Sequence, residues 1–199
     1  MANVCCDDVI YYSETNPEGL QKLWEDLETS VILCPDTARA AIDRLFQDQN
    51  IPLSGISLRG TVTYMERSFD GIHLDLETAW SPLYEAYRLI ADHYKVSFVL
   101  RSIEPNEEIY YNTDTLGNFF PERYMIAVGD ENKISPSGLP FYRKLEDGQV
   151  YQSENEILDC LQSLGYAAES TTQMKDVLDD LEITVHEFIN PYDNMEENY

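Results

Sequence analysis

The most regular alternation of apolar and polar residues lies between Gly60 and Tyr94. Within it, residues 61–65 and 72–80 are β-rich, and in the second of these segments apolar side chains alternate with polar ones, which is typical of a strand with one buried face. Asp70-Gly71 stands between the two segments, and this dipeptide favours a hairpin turn. Ser81-Pro82 follows, a pair that frequently begins a helix. The sequence therefore predicts a hairpin followed by a helix.

The same reading extends to the rest of the chain. Further strands are predicted at Val4–Tyr12, 96–101, 109–111, Tyr124–Val128 and 183–189. Further helices are predicted to begin at Asn16-Pro17, at Pro35-Asp36, at the capping box Ser153–Glu156 and at Thr172. This order predicts an α+β fold of the ferredoxin-like split βαβ type, an antiparallel sheet with helices on one face, in which Tyr124–Val128 is an added edge strand.

Composition divides the chain into three predicted parts. Residues 1–128 contain the ferredoxin-like pattern. Residues 129–150 are rich in Gly, Pro, Ser and charge, which indicates a linker or excursion. Residues 151–199 form an acidic, mostly helical extension, whose last ten residues are polar and are expected to fray.

The charge changes this picture most. The chain of 199 residues has 37 Asp and Glu against 13 Lys and Arg, a formal net charge of −24 and an isoelectric point near 4.2. Such a chain repels nucleic acid, because phosphate contacts need basic side chains, and is attracted to basic protein surfaces. From Glu146 to the end it has 14 acidic residues and one lysine, Lys175. An alternative role for this charge is solubility alone.

Cysteine content and hydropathy bear on location. The four cysteines, Cys5, Cys6, Cys34 and Cys160, are too scattered for a disulfide framework or a metal knuckle, and reduced thiols are expected. If Val4–Tyr12 is a strand, Cys5 and Cys6 point to opposite faces. No leader pattern or membrane-length apolar stretch is evident, so we expect a cytoplasmic protein.

No reaction centre is evident from residue spacing. The three histidines, His73, His93 and His186, lie in different predicted elements, and none has the helical spacing of a zinc motif. Ser81 lacks a nucleophile-elbow context, and the glycines are explained by turns. The sequence therefore predicts a protein that is not an enzyme, with no catalytic residue, no metal ligand and no cofactor.

A family resemblance is carried by Glu77-Thr78-Ala79-Trp80-Ser81-Pro82, by the following helix and Val-Ser-Phe-Val-Leu strand, and by the opening Met1–Cys6. Over residues 1–128 the chain resembles the YubB-type ferredoxin-like domain family. The resemblance implies a protein of phage or plasmid origin with unassigned biochemical function. Glu107–Tyr111 departs from the family, which usually has a Gly-Phe-Gly-like run there.

Two classes of function follow. The first is an acidic protein-binding protein, a DNA mimic that occupies a basic groove of a nuclease or nucleoprotein complex and inhibits it in the anti-CRISPR or anti-restriction manner, without contacting nucleic acid or membrane itself. Its predicted partner-binding face consists of Glu154, Glu156, Asp159, Asp176, Asp179, Asp180 and Glu182. The second is an accessory domain that binds a small ligand or peptide through a tyrosine-rich sheet edge containing Tyr110, Tyr111 and Tyr124.

Overall fold

The computed structural model describes residues 3–32, 40–53 and 55–193 of the protein. The chain divides into two compact units, one formed by residues 1–115 with 191–199 and the other by residues 116–190. Each unit has its own antiparallel sheet and its own cluster of buried apolar side chains. The predicted α+β class is therefore confirmed.

Within its described residues, the first unit contains a six-stranded sheet and three α-helices. Its elements are β1 Val4–Tyr12, α1 Pro17–Leu27, β2 Ala40–Ala41, α2 Asp43–Asp48, β3 Gly60–Arg67, β4 Ile72–Ala79, α3 Tyr84–Tyr94, β5 Ser97–Glu104 and β6 Ile109–Asn112. A π-helical turn, Glu28–Ile32, follows α1, and the 3₁₀ turn Pro105–Glu107 precedes β6. The strand order is β2-β3-β4-β1-β5-β6, with β2 only two residues long.

The two faces of this sheet differ in polarity because side chains alternate along each strand. The inward side chains of the strands, including Val9, Leu74 and Leu100, share one buried cluster with residues of α1, α2 and α3. On the opposite face of the sheet, five charged or titratable side chains are half-exposed, and we call them the polar face. They are Asp8, His73, Asp75, Glu77 and Arg101.

The second unit combines three strands with two helices. Its elements are β7 Tyr124–Val128, β8 Val150–Tyr151, α4 Glu154–Ser163, α5 Thr171–Asp180 and β9 Ile183–Glu187, with sheet order β8-β7-β9. The strand predicted at Tyr124–Val128 is present, but it lies in this sheet and is not an edge of the first. Residues 129–150 add Phe141 and Leu145 to the core of this unit, so this stretch packs more than a linker would.

The second predicted helix is shorter than expected. Ala40 and Ala41 pair with β3 as a strand, and the helix begins only at Asp43. The apolar positions Ala41, Ile42, Leu45 and Phe46 fit a helical stripe, but the first belongs to a strand, so the period alone placed the boundary wrongly. The predicted start at Pro35-Asp36 and the end of the tail beyond Asp193 lie outside the described residues.

Two predicted helix starts are displaced. Helix α3 begins at Tyr84 after Leu83, which offers no side-chain cap; the buried Asp7 carboxylate accepts the Leu83 N–H at 3.2 Å. Helix α5 is capped by Ser170, not by Thr172. The caps predicted at Asn16 and Ser153 are confirmed.

Within the part of the chain that the structure describes, no helix has the length and apolar character needed to cross a membrane.

Candidate functional site

The acidic side chains of helix α5 lie opposite its buried stripe. Met174 and Leu178 are buried, and at 100° per residue Asp176, Asp179 and Asp180 fall on the outer side of the helix. All three carboxylates are exposed. The helix is therefore anchored by one face and presents like charges on the other.

Two of the seven predicted partner-binding carboxylates have local structural roles. Glu154 forms an ion pair with Lys175 at 2.8 Å, which joins α4 to α5 and raises the pKa of that lysine. Glu156 accepts the Gln152 N–H at 2.8 Å, while Ser153 Oγ accepts the Glu156 N–H at 3.4 Å, so this pair closes the start of α4.

The other five carboxylates are exposed, and within the described residues none of them makes an ion pair or a side-chain hydrogen bond. They are Asp159, Asp176, Asp179, Asp180 and Glu182, and we call them the acidic face. The one lysine beyond Lys144 is Lys175, and its charge is already shared with Glu154.

The predicted recognition tyrosines do not lie at one sheet edge. Tyr110 and Tyr111 belong to β6 in the first sheet, and Tyr124 belongs to β7 in the second. Tyr110 is buried, and the ring of Tyr111 lies edge-on to Tyr192, 6.1 Å between centroids. The structure therefore assigns these rings to two separate sheets, and the prediction of a shared edge is wrong.

A buried carboxylate stands at the centre of the first unit. Asp7 is 1% exposed and lies on the inward face of β1 with Cys5 and Val9. Its Oδ2 accepts hydrogen bonds from the Tyr87 hydroxyl at 2.7 Å and from the Leu83 N–H at 3.2 Å.

The other carboxylate oxygen of Asp7 accepts hydrogen bonds from the Ser102 hydroxyl at 2.7 Å and from the Cys5 thiol at 3.4 Å. Asp7 therefore links β1, β5 and the start of α3. Loss of solvent raises its pKa, and these hydrogen bonds only partly oppose that shift. Burial, with the nearby Asp7 charge, also raises the pKa of Cys5 and of Tyr87, which keeps both groups protonated.

The polar face carries a second group of titratable side chains. Arg101 donates from Nε to Asp8 Oδ2 at 2.9 Å, and a second bond from Nη2 goes to the same oxygen. His73 Nε2 is 2.9 Å from Asp75 Oδ1. The ligand atoms of Asp8, His73 and Asp75 all lie within 4.8 Å of one another.

Helical spacing gives no sign of this histidine–carboxylate cluster, and the position of His73 on the polar face of a predicted strand does not by itself indicate a site. The available signal was His73-x-Asp75 on an alternating strand, which places both side chains on one face. The third member, Asp8, comes from a strand more than sixty residues earlier, and only the pairing of β1 with β4 brings it opposite Asp75.

Comparisons of the chain with protein-family models, with curated proteins and with solved structures found no match.

Proposed function

We propose that this chain is a non-enzymatic protein-binding protein whose acidic face docks on a basic surface of a nuclease or nucleoprotein complex. The observation that carries the proposal is the set of five exposed carboxylates of α4, α5 and the following turn without a compensating partner among the described residues. Carboxylates fixed on a packed helix have fixed spacing, as phosphates on a nucleic acid do. A basic groove would therefore attract them in place of DNA or RNA.

The expected mode of action is inhibition by occupancy. The net charge of −24 steers the chain toward basic surfaces over distances up to a Debye length, about 10 Å at 0.1 M salt. Docking then depends on the local arrangement of carboxylates. An anti-CRISPR or anti-restriction role is the form of this activity that the predicted phage or plasmid origin favours.

We also infer that the first unit has the ferredoxin-like topology. The order β3-β4-β1-β5, with α1 between β1 and β3 and α3 between β4 and β5, supports this assignment, because it is the split βαβ arrangement with one antiparallel strand inserted between two parallel ones. Strands β2 and β6 would then be additions at the two edges. The resemblance to the YubB-type family agrees with this topology and is a separate prediction.

The test is displacement of labelled DNA from a purified Cas9–guide complex and from a purified restriction endonuclease, followed by fluorescence anisotropy. We expect displacement at low salt that weakens steeply between about 50 and 200 mM salt. The variant Asp176→Lys/Asp179→Lys/Asp180→Lys should lose it, since these side chains are exposed and not needed for packing.

The matched control is Glu14→Lys/Glu18→Lys/Glu28→Lys, which reverses the charge of three exposed acidic side chains in the first unit. This control therefore has the same net charge as the α5 variant. The control should retain most of the displacement. Equal loss in the two variants would mean that only total charge matters, and displacement unaffected by salt or by either variant would contradict the proposal.

A further inference from the structure

The histidine–carboxylate cluster on the polar face has the composition of a metal site. His73 and Asp75 are two residues apart on β4 and so point to the same side of the sheet. Asp8 stands directly opposite Asp75 in the pairing of β1 with β4. Three potential ligand atoms therefore come from two adjacent strands near the middle of a six-stranded sheet, where the backbone is held on both sides.

The hydrogen bonding of the cluster is incomplete, and this is independent of its composition. His73 Nε2 and Asp75 Oδ1 are both inaccessible to solvent, and neither has a hydrogen-bond partner in the described part of the chain. They are 2.9 Å apart, but their approach does not have the geometry of a hydrogen bond. Buried polar atoms are normally satisfied, and this pair, in contact as an ion pair but without a hydrogen bond, is satisfied less well than most, which leaves its lone pairs suited to a bound cation.

The carboxylates add a second imbalance. Asp8 and Asp75 are like charges directly opposite each other on neighbouring strands, an arrangement that destabilises a sheet unless a cation lies between them. Arg101 donates from Nε and Nη2 to Oδ2 of Asp8 and offsets the charge of that carboxylate. The ring of Tyr64 lies edge-on to the imidazole of His73, with centroids 5.8 Å apart.

We propose that Asp8, His73 and Asp75 bind a divalent transition-metal ion of the Zn²⁺ type, with a fourth position open to water or to a ligand. One imidazole nitrogen and two carboxylate oxygens suit Zn²⁺, whereas Mg²⁺ and Ca²⁺ require six or more oxygen ligands. Ligands about 2.0 Å from a tetrahedral ion lie about 3.3 Å apart. The three atoms already lie within 4.8 Å of one another, so the site closes with a contraction of about 1.5 Å at most between any two of them.

The competing arrangement is a metal-free network, in which Arg101 neutralises Asp8 and His73 pairs with Asp75. The two arrangements differ in one measurable respect. A metal-free network has no specific, saturable affinity for Zn²⁺ beyond the general attraction of an acidic protein for cations, and that attraction does not depend on His73.

The experiment is a competition titration of the full chain with Zn²⁺ and a chromophoric zinc indicator, with excess Mg²⁺ present to occupy non-specific acidic sites. We expect one saturable equivalent for the unmodified protein. The variants His73→Gln and Asp75→Asn should each bind at least about tenfold more weakly, since each loses a direct ligand and loss of an outer partner alone costs about 10- to 100-fold.

The matched control is His93→Gln, which removes another histidine, one that lies exposed on helix α3 outside the cluster. It should bind as the unmodified protein does. Asp8→Asn is a third ligand variant, and circular dichroism establishes that each variant is folded.

A second readout distinguishes ligation from general attraction. Zn²⁺ should shift the imidazole NMR signals of His73 and leave those of His93 unchanged. Saturable binding that survives both His73→Gln and Asp75→Asn, or no binding above the Mg²⁺ background in the unmodified protein, would overturn the proposal.

Discussion

Replacing Asp7 tests whether its carboxylate organises the first unit. In Asp7→Ala the hydroxyls of Tyr87 and Ser102 and the N–H of Leu83 lose their acceptor inside the core. Each buried group left without a partner costs about 1–3 kcal/mol, and the hydroxyls can partly reorient. We therefore expect a loss of about 3–5 kcal/mol in the free energy of unfolding.

Asp7→Asn separates shape from charge. The amide oxygen can accept from Tyr87 and Leu83, and the amide nitrogen can donate to the Ser102 hydroxyl, so the change at neutral pH should be within about 1 kcal/mol. The variant also removes the cost of burying a charge, which offsets any poorer hydrogen bond.

The raised pKa of Asp7 predicts how the stability difference between Asp7→Asn and the unmodified protein depends on pH. Between the unfolded pKa, about 3.9, and the higher folded pKa, the folded protein retains a proton that the unfolded chain has released. The contribution of Asp7 to stability is therefore fully present below about pH 4 and is lost as the pH rises through the folded pKa. Asp7→Asn, which does not titrate, should become progressively more stable relative to the unmodified protein over that interval.

Urea denaturation followed by tryptophan fluorescence reports the unfolding of the first unit, which contains Asp7, because both tryptophans, Trp24 and Trp80, belong to that unit. Titrations from about pH 4 to pH 8 give the difference in unfolding free energy between the two proteins. Parallel pH–stability curves for Asp7→Asn and the unmodified protein, or a similar loss in Asp7→Ala and Asp7→Asn, would refute the reasoning.

Three further predictions concern stability. Lys95→Gly should raise the free energy of unfolding by about 0.5–1 kcal/mol, because Lys95 ends α3 with a φ of 55° that glycine adopts without strain. Thermal denaturation measures this change, and a lower melting temperature in the variant would contradict the prediction. Ser170→Ala should lower the free energy of unfolding by about 1 kcal/mol, because Ser170 Oγ accepts the Gln173 N–H at the start of α5. Amide hydrogen exchange in α5 should become faster in this variant. Unchanged protection of α5 would count against the role of Ser170 as a cap. Tyr192→Ala should lower the stability of the first unit by about 1–3 kcal/mol, because the ring of Tyr192 stacks on Tyr84 with centroids 3.6 Å apart. Denaturation followed by tryptophan fluorescence measures the loss. The control Tyr192→Phe keeps the ring and should retain most of the stability.

Local patterns predicted the first unit well where one strand face is apolar and the other polar. The hairpin of β3 and β4, the first strand and the opposite orientations of Cys5 and Cys6 follow from alternation and turn chemistry, and the structure has them. The sequence did not predict which of the two sheets a given strand would join. Tyr124–Val128 reads as a strand in either sheet, because its side-chain pattern says nothing about which strand it will pair with.

The buried carboxylate and the cross-strand cluster show a different limit. Asp7 and Asp8 are adjacent in sequence, and only the shared parity of Asp7 with Val9 indicates which of them is buried. The cluster around His73 depends on the register between β1 and β4, which no local spacing encodes. On α4 the exposure of Asp159 was predictable from helical period, whereas the ion pair of Glu154 with Lys175 depends on the packing of two helices.

The chain returns to the first unit at Pro191, which makes residues 116–190 an insertion. A segment inserted in this way is tethered at both ends, so a single proteolytic cut within it leaves its two fragments covalently attached to the first unit. The ring of Tyr192, stacked on Tyr84, secures the outgoing tether within a few residues of the boundary. A gene in which a short linker joins residue 115 directly to residue 191 would therefore retain this anchor while removing the acidic face as one cassette.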